Sequence, residues 1–526
     1  MRKLIILDIK KDYLGISRDS SDYINIGRGT VLIKNSKKIS LKKFLPPIKN
    51  IIFNKYFEII KKNQKKWNSL FDDEKFDELE FINSRNDKYI FFNKFLCLLS
   101  VRDFLKKKNY DKIEVISDQR IYNYAYQSLG QKIKCVFVNR NPITININFF
   151  ILRNLVNLFK NLFLIILIKF LFLNRKINKE KICLTQFPRF FSKKKDNFYK
   201  TKDCFNLNFT LSDGIFIHDS FFRNIIKIFS IKKLKNTIPI EKYITIKDIF
   251  SSYMRSMIIF HRAKRNLLFG LKINNLELTK VVNYYFLNSI KQRLFLNIYS
   301  NALNKIFRKN IKEFHLFLFE YSIGFYLIRK IKHINSSVKI FGYQHGIFSD
   351  KLLWFNFLNI SKYKKFYMVN TILAKNFFSF KAYKKLKLTN DVQLIKTQQK
   401  IYPLKIIKNK YKFNVLVILG THDTEEILFA INHFLQNNLK QKIFFHIKAH
   451  PKKKIINIHE LDNRIKIIDV LKGSFQLILC SDTTTISYDL INSKIDFKII
   501  EIENRNNLFF NEYNKKLYLN EIINEL

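Results

Sequence analysis

The chain has 526 residues, 47% of them apolar, which is enough for two or three domains with packed cores. Lysine and arginine total 95 against 42 aspartates and glutamates, and the resulting net charge of +53 attracts lipid headgroups, nucleic acid and phosphorylated substrates. The five cysteines (Cys97, Cys135, Cys183, Cys204 and Cys480) are scattered without a Cys-x-x-Cys pair, which argues against a disulfide framework or a zinc site and for a reducing cytoplasm.

Richness in Lys, Ile, Asn and Phe also matches a very AT-rich coding sequence, a second source for the charge beside function. The start, Met1 to Asp8, carries cations before an apolar run too short for a signal-peptide core, and it reads as a first strand. Ile113–Ser117 and Lys134–Val138 read as strands, with a helix over Ile121–Leu129 ended by Gly130. Such strand–helix–strand repetition predicts parallel α/β layering.

Residues 149–173 are strongly apolar, interrupted by Arg153, Lys160 and Lys169 and followed by Arg175, Lys176, Lys179 and Lys181. An apolar helix with cationic flanks fits an anchor lying in the membrane interface. A buried inter-domain helix and a true span are the other two readings. Residues 190–310 are basic and aromatic, and hold no catalytic constellation; His218 and His261 read as ordinary polar residues.

Beyond Phe314 the pattern sharpens. Strands are predicted at His315–Phe319, Val338–Tyr343 and Phe366–Val369, with a helix over Tyr321–Ile331. Lys375–Lys400 shows no core pattern, and the domain boundary is placed there. Strands follow at Val415–Leu419, Ile443–Ile447, Ile465–Ile468, Leu477–Cys480 and Phe497–Ile500, which predicts a doubly wound sheet with its ligand beyond the strands' carboxyl ends.

Three segments at such strand ends bear chemistry. Tyr343-Gln344-His345-Gly346 offers an imidazole suited to proton transfer, beside a glycine that permits a tight turn. His446-Ile447-Lys448-Ala449-His450-Pro451 offers Lys448 and His450 as donors to a leaving phosphate, with Pro451 stopping the strand. Ser481-Asp482-Thr483-Thr484-Thr485, with Asp489 further on, opens a helix and supplies more hydroxyls than a cap needs. A weaker fourth segment, Gly420-Thr421-His422, follows the strand at Val415–Leu419 and reads as a donor contact or as a cap.

Taken in order over Phe314–Glu501, these segments resemble a group of GT-B transferases: the CDP-glycerol glycerophosphotransferases, the capsule Kdo and sialic acid transferases, and related surface carbohydrate proteins. The resemblance implies two Rossmann-like domains facing a cleft, and the apolar helix is read as an insertion in the first. An acceptor-side domain over 1–385 would carry the interfacial helix 149–173, and a nucleotide-donor domain would span 400–526. It implies transfer of a glycosyl or polyol-phosphate group from a nucleotide-activated donor to a surface polysaccharide or lipid-linked acceptor, such as capsule or O-antigen.

His345 matches the family's cleft histidine and His450-Pro451 its phosphate-holding pair. Ser481 to Thr485 with Asp489 match its hydroxyl-rich segment, with Thr where the family usually has a Ser pair. The sialyltransferases' catalytic carboxylate has no clear counterpart in the N-terminal half. His345 is expected as base with Glu320 as its orienter or an acceptor ligand, and the reverse assignment is the alternative. No cofactor or metal is expected. The expected location is the cytoplasm, peripheral to the inner membrane on an anionic surface. A non-catalytic assembly or export protein of the same fold is the main rival. A nucleic-acid binder is disfavoured because the lysines are spread rather than clustered.

Overall fold

A computed structural model describes residues 2–9, 13–27, 31–41, 44, 87–130, 133–138, 147–176, 181–185, 210–212, 221–233, 237–265, 271–308, 311–318, 322–344, 368–395, 402–407, 413–420, 424–439, 441–450, 461–481, 484, 486–501 and 516–518. Its described strands form three large sheets, each wholly parallel. The chain is therefore α/β, as the alternating apolar runs predict.

The first sheet comprises β1 (Lys3–Asp8), β2 (Tyr13–Asn25), β3 (Val31–Lys38), β4 (Lys112–Ser117) and β5 (Ile133–Phe137), in spatial order 3-2-1-4-5. Helices α1 (Asp87–Lys107) and α2 (Asn123–Gln127) pack on it. In such an order the chain reverses direction across the sheet between β1 and β4, and a crevice opens at their carboxyl ends. Here the chain fills that place itself. Asp8, fully buried, pairs with Lys94 of α1 and accepts a hydrogen bond from the Tyr126 hydroxyl of α2. Lys94 also donates to the Ile26 carbonyl at 3.0 Å, and the Tyr126 hydroxyl lies 3.1 Å from Ser117 Oγ.

Helix α3 (Ile147–Leu171) then leads from β5 to β6 (Lys181–Thr185). The apolar helix expected at 149–173 is thus the connection between two sheets rather than an insertion within one. Leu164, Ile165 and Ile168 on one face are fully buried. Among the described residues no helix is long and apolar enough to cross a membrane.

The second sheet adds β7 (Thr210–Ser212) and, after helix α4 (Phe221–Lys232), β8 (Thr237–Pro239). Helix α5 (Ile246–Arg265), the hairpin of β9 (Lys272–Ile273) and β10 (Leu276–Glu277), and helix α6 (Thr279–Phe307) come next. The sheet resumes with β11 (Glu313–Phe317), β12 (Lys339–Tyr343), β13 (Thr371–Ala374) and β14 (Asp391–Leu394), with α7 (Ser322–Ile334) and α8 (Phe377–Leu386) between strands. Its order, β14-β13-β12-β11-β6-β7-β8, reverses between β6 and β11. The region 1–385, read above as one Rossmann-like domain, thus holds most of two parallel sheets whose buried residues form one continuous core. The hairpin and the start of α6 help to join them: the Glu277 amide donates to Ser128 Oγ at 3.0 Å, and Lys280 Nζ of α6 sits 3.9 Å from the centre of the Tyr124 ring.

Two expectations shift here. Lys375–Lys400, expected to lack a core, carries α8 and the edge strand β14, with Ser379, Tyr383, Leu388 and Val392 buried in the second sheet's layer. Of the strand expected at Phe366–Val369, Phe366 and Tyr367 lie outside the described residues, and the described strand here is Thr371–Ala374. Helix α8 starts where Asn376 caps it, its side chain accepting from the Ser379 amide at 2.8 Å.

The third unit begins with β15 (Leu404–Ile406). Its sheet contains β16 (Phe413–Ile418), β17 (Ile443–Lys448) and β18 (Ile465–Ile467). A short strand, β19 (Gly473–Phe475), pairs with β15 instead. The sheet continues with β20 (Leu477–Ser481), β21 (Lys498–Glu501) and β22 (Lys516–Tyr518), and helices α9 (Thr424–Asn437) and α10 (Ile486–Asn492) lie between its strands. The order is β18-β17-β16-β20-β21-β22, which in the sheet's own numbering is the dinucleotide-fold order 3-2-1-4-5-6. Val415, Val417 and Leu419 face one core with Ile427 and Leu435 of α9; Leu416 and Ile418 face another with Leu490 of α10. Burial on both faces is why the run VLVIL is apolar without alternation.

Candidate functional site

The third sheet reverses direction between β16 and β20, and three of the segments singled out above converge there. Ile418, near the end of β16, pairs with Lys448 at the end of β17 on one side and with Cys480 of β20 on the other. Gly420, Lys448 with His450, and Ser481 therefore leave the sheet side by side from its three central strands.

The turn after β16 is pinned to its neighbour. The Leu419 amide donates to the Lys448 carbonyl at 3.0 Å, and the buried Thr424 hydroxyl at the start of α9 donates to the Gly420 carbonyl at 2.7 Å. Lys448, at the end of β17, and His450, just beyond it, are half-buried. His446, two residues before Lys448, lies against the Phe475 ring with Nε2 3.4 Å from Asn414 Oδ1, so it supports the strand. Thr421 and His422 lie outside the described residues, as does Pro451.

At the end of β20, Ser481 is fully buried and its carbonyl accepts from the Thr484 amide at 3.2 Å. Thr484 is buried too: its hydroxyl oxygen accepts from the Ile486 amide at 3.4 Å, and its carbonyl accepts from the Ser487 hydroxyl at 2.7 Å. Thr484 thus shapes the turn and caps α10. Asp482, Thr483 and Thr485 fall outside the described residues. Asp489, on α10, accepts from the Tyr402 hydroxyl at 3.3 Å. Burial, together with the neighbouring Asp489 carboxylate, pushes the Tyr402 hydroxyl up to about 12, so it stays protonated and donating at neutral pH. Burial likewise pushes the Cys480 thiol up, which makes it an inert core residue.

The fourth segment comes from the second sheet. Tyr343 ends β12, and Gln344 follows almost fully buried. Its amide N–H donates to the Leu373 carbonyl at 2.9 Å, its side-chain Oε1 accepts from the Lys375 amide at 2.9 Å, and its Nε2 donates to Ser379 Oγ at 2.6 Å. The residue immediately before His345 is thereby locked between the carboxyl ends of β12 and β13 and the first turn of α8. His345 and Glu320 themselves lie outside the described residues. Within β11, His315 stacks on Phe341 at 4.6 Å, with Nδ1 3.2 Å from the Tyr343 hydroxyl and Nε2 3.2 Å from Glu313 Oε2.

One contact ties the two halves of the candidate site together. Phe378, beside Ser379 in α8, lies 6.2 Å from Tyr488 of α10, centroid to centroid. Tyr488 follows Ser487, the residue bonded to Thr484. The Gln344 turn of the second sheet and the Ser481 turn of the third are thus linked through the first turns of α8 and α10. Gln344, Ser379, Phe378 and Tyr402 were not singled out from sequence. Gln344 carried the only advance signal, standing inside the histidine-glycine segment. Comparison of the chain with protein-family models and with curated proteins gives no match.

Proposed function

We propose that the chain is a GT-B-type transferase that moves a glycosyl or polyol-phosphate group from a nucleotide-activated donor to a surface polysaccharide or lipid-linked acceptor. The observation that carries this reading is the convergence of Gly420, Lys448–His450 and Ser481 at the point where the third sheet reverses direction. In open α/β sheets that crevice is where ligands bind. The first sheet's equivalent position is filled by the Asp8–Lys94 pair, which favours the third sheet as donor site. The contact between Phe378 and Tyr488 favours a cleft between the second and third sheets for the reaction.

In this reading Lys448 and His450 stabilise charge on the leaving phosphate, where a positioned donor is worth about 100-fold or more in rate. The Ser481–Thr485 turn holds that phosphate, with Thr484 maintaining the turn. His345 takes the acceptor proton, and Glu320 orients its ring or binds acceptor.

The test is a thermal-shift and nucleotide-release screen of CDP-, CMP-, UDP- and GDP-linked donors with a lipid-linked acceptor, followed by variants. His450→Ala is expected to lower turnover by about 100-fold. His345→Ala is expected to lose transfer with donor affinity intact, while Glu320→Gln keeps measurable transfer. Wild-type turnover and nucleotide affinity in His450→Ala would refute the donor site. An active His345→Ala beside an inactive Glu320→Gln would make the carboxylate the base.

A further inference from the structure

Helix α3 carries two apolar stripes, interrupted by a few polar and cationic residues, and only one of the stripes is buried. Leu158, Leu164, Ile165, Ile168 and Phe172 point into the core, while Leu152, Phe159, Phe163, Ile166 and Phe170 are between 51% and 79% exposed. Their spacing of three, four and seven residues places the exposed set on one stripe. A soluble surface helix is polar on that side, so the pattern needs a cause.

The neighbouring helices repeat it. On α4, Phe222, Ile226 and Phe229 are 46–76% exposed, again at helical spacing. On α5, Phe250, Met254 and Ile258 recur every fourth residue at 50–52% exposure. The three helices are adjacent. Phe163 of α3 meets Phe221 of α4 at 5.5 Å, and Phe221 meets Phe222 at 5.9 Å, which joins the two exposed stripes. Arg175, just past α3, donates to the carbonyls of Lys232 at the end of α4 and Thr237 beyond it, at 2.6 and 2.8 Å. Helices α3 and α4 therefore run side by side in the same direction. On the other contact, Asn161 of α3 donates to the buried Tyr253 hydroxyl of α5 at 2.8 Å, and Met254 follows in the exposed row.

Charge decides what covers this surface. The three helices carry eleven lysines and arginines and one acid, Asp248. Asp248 is buried, where it caps α5. The cations Lys176, Lys232 and Lys233 stand exposed where α3 and α4 end together, and Lys247, Arg262 and Arg265 are exposed on α5. An apolar surface rich in Phe and edged by cations, with no exposed acid among the described residues of its three helices, complements the acyl–headgroup boundary of an anionic bilayer. A self-complementary protein interface would repel itself across so many like charges.

We propose that α3, α4 and α5 form a single platform that lies in the interface of an anionic membrane, burying all three exposed apolar rows at once. The platform is wider than the single anchor helix read from sequence, and it does not depend on the transferase reading. A peripheral platform of this kind sinks only as deep as its exposed rows, because the opposite face of each helix belongs to the protein core. Membrane attachment therefore needs no unfolding and no spanning segment.

The experiment is flotation of the full chain with vesicles of phosphatidylcholine alone or containing phosphatidylglycerol. Binding is expected to the anionic vesicles and to weaken, without vanishing, as salt rises. Phe170→Glu, Phe222→Glu and Phe250→Glu, one per helix, are each expected to weaken partitioning by about tenfold or more, since each removes a large buried apolar group and adds a repelled charge. Leu439→Glu, at a 78% exposed position on the third unit, is the control and is expected to bind as wild type. All four positions are at least half exposed, and far-ultraviolet circular dichroism checks that the fold survives.

Three results would overturn the proposal. The first is no flotation with anionic vesicles. The second is undiminished binding by Phe222→Glu and Phe250→Glu, which would reduce the platform to α3 alone. The third is a dimer in sedimentation that Phe222→Glu dissociates while vesicle binding is unchanged, which would make a second copy the occupant.

Discussion

Replacing Gln344 with leucine tests the best-defined polar contact in the candidate site. The side chain is 3% exposed and makes two hydrogen bonds, one from the Lys375 amide and one to Ser379 Oγ. Leucine is close in size, so packing changes little while both bonds disappear. Depriving a buried polar group of its partner costs about 1–3 kcal/mol. Ser379 Oγ loses a donor to one lone pair but keeps its own O–H, whereas the Lys375 amide, fixed by the end of β13, loses the acceptor of its single N–H. The amide therefore dominates, and we expect a local loss of about 2–3 kcal/mol, with Ser379→Ala losing about 1 kcal/mol.

A chain of several units does not unfold in two states, so a global melting temperature is the wrong observable. Hydrogen exchange of peptides covering residues 371–380 reads the local change. A loss of 2 kcal/mol corresponds to about 30-fold faster exchange where opening limits the rate. Changes should stay confined to the ends of β12 and β13 and the first turn of α8. If exchange there rises by less than about threefold, the assigned bonds do not hold the turn. Gln344 then does not anchor the turn that follows β12.

Three further outcomes follow from the same geometry. Lys94→Met should destabilise the first sheet by about 3–5 kcal/mol by stranding the buried Asp8 carboxylate, and adding Asp8→Asn should recover much of the loss; urea unfolding followed by exchange of β1 peptides measures both. Burial raises the Asp248 carboxyl pKa, but hydrogen bonds from Asn301 at 2.5 Å and from the Thr245 amide and hydroxyl, with the Lys305 charge, hold it below its usual value. Its folded value being depressed, this contribution is complete above the usual carboxylate range and is lost as pH falls through the folded value, so Asp248→Asn should flatten acid destabilisation of α5 below about pH 4. Gly342→Ala should cost about 1–3 kcal/mol, because a Cβ there would stand 2.5 Å from Leu318 Cδ1 and 3.1 Å from both Val369 methyls; Leu318→Val should relieve part of it in thermal unfolding.

The local signals in the sequence were strong where elements are buried on both faces. The runs at Val415–Leu419 and Leu477–Cys480 fell within a residue or two of strands β16 and β20, because a central parallel strand covered on both faces is apolar along its length. Edge elements were harder. Strand β14 has one buried residue in four, Val392, so Lys375–Lys400 showed no periodic core. The β9–β10 hairpin turns on Asn274 and Asn275, both at positive φ, within strands too short to show alternation.

The amino-acid sequence by itself determined the α/β class, the apolar helix near 149–173, and the places of the singled-out segments at strand ends, since each depends on residues close together in the chain. The tertiary structure alone decided that residues 1–395 contain two parallel sheets, and that Asp8 and Lys94 close one switch point. It also placed Gln344 against Ser379, and Phe378 against Tyr488. Those pairings join residues tens to hundreds of positions apart. Strand order, which no local pattern encodes, is what brings them together.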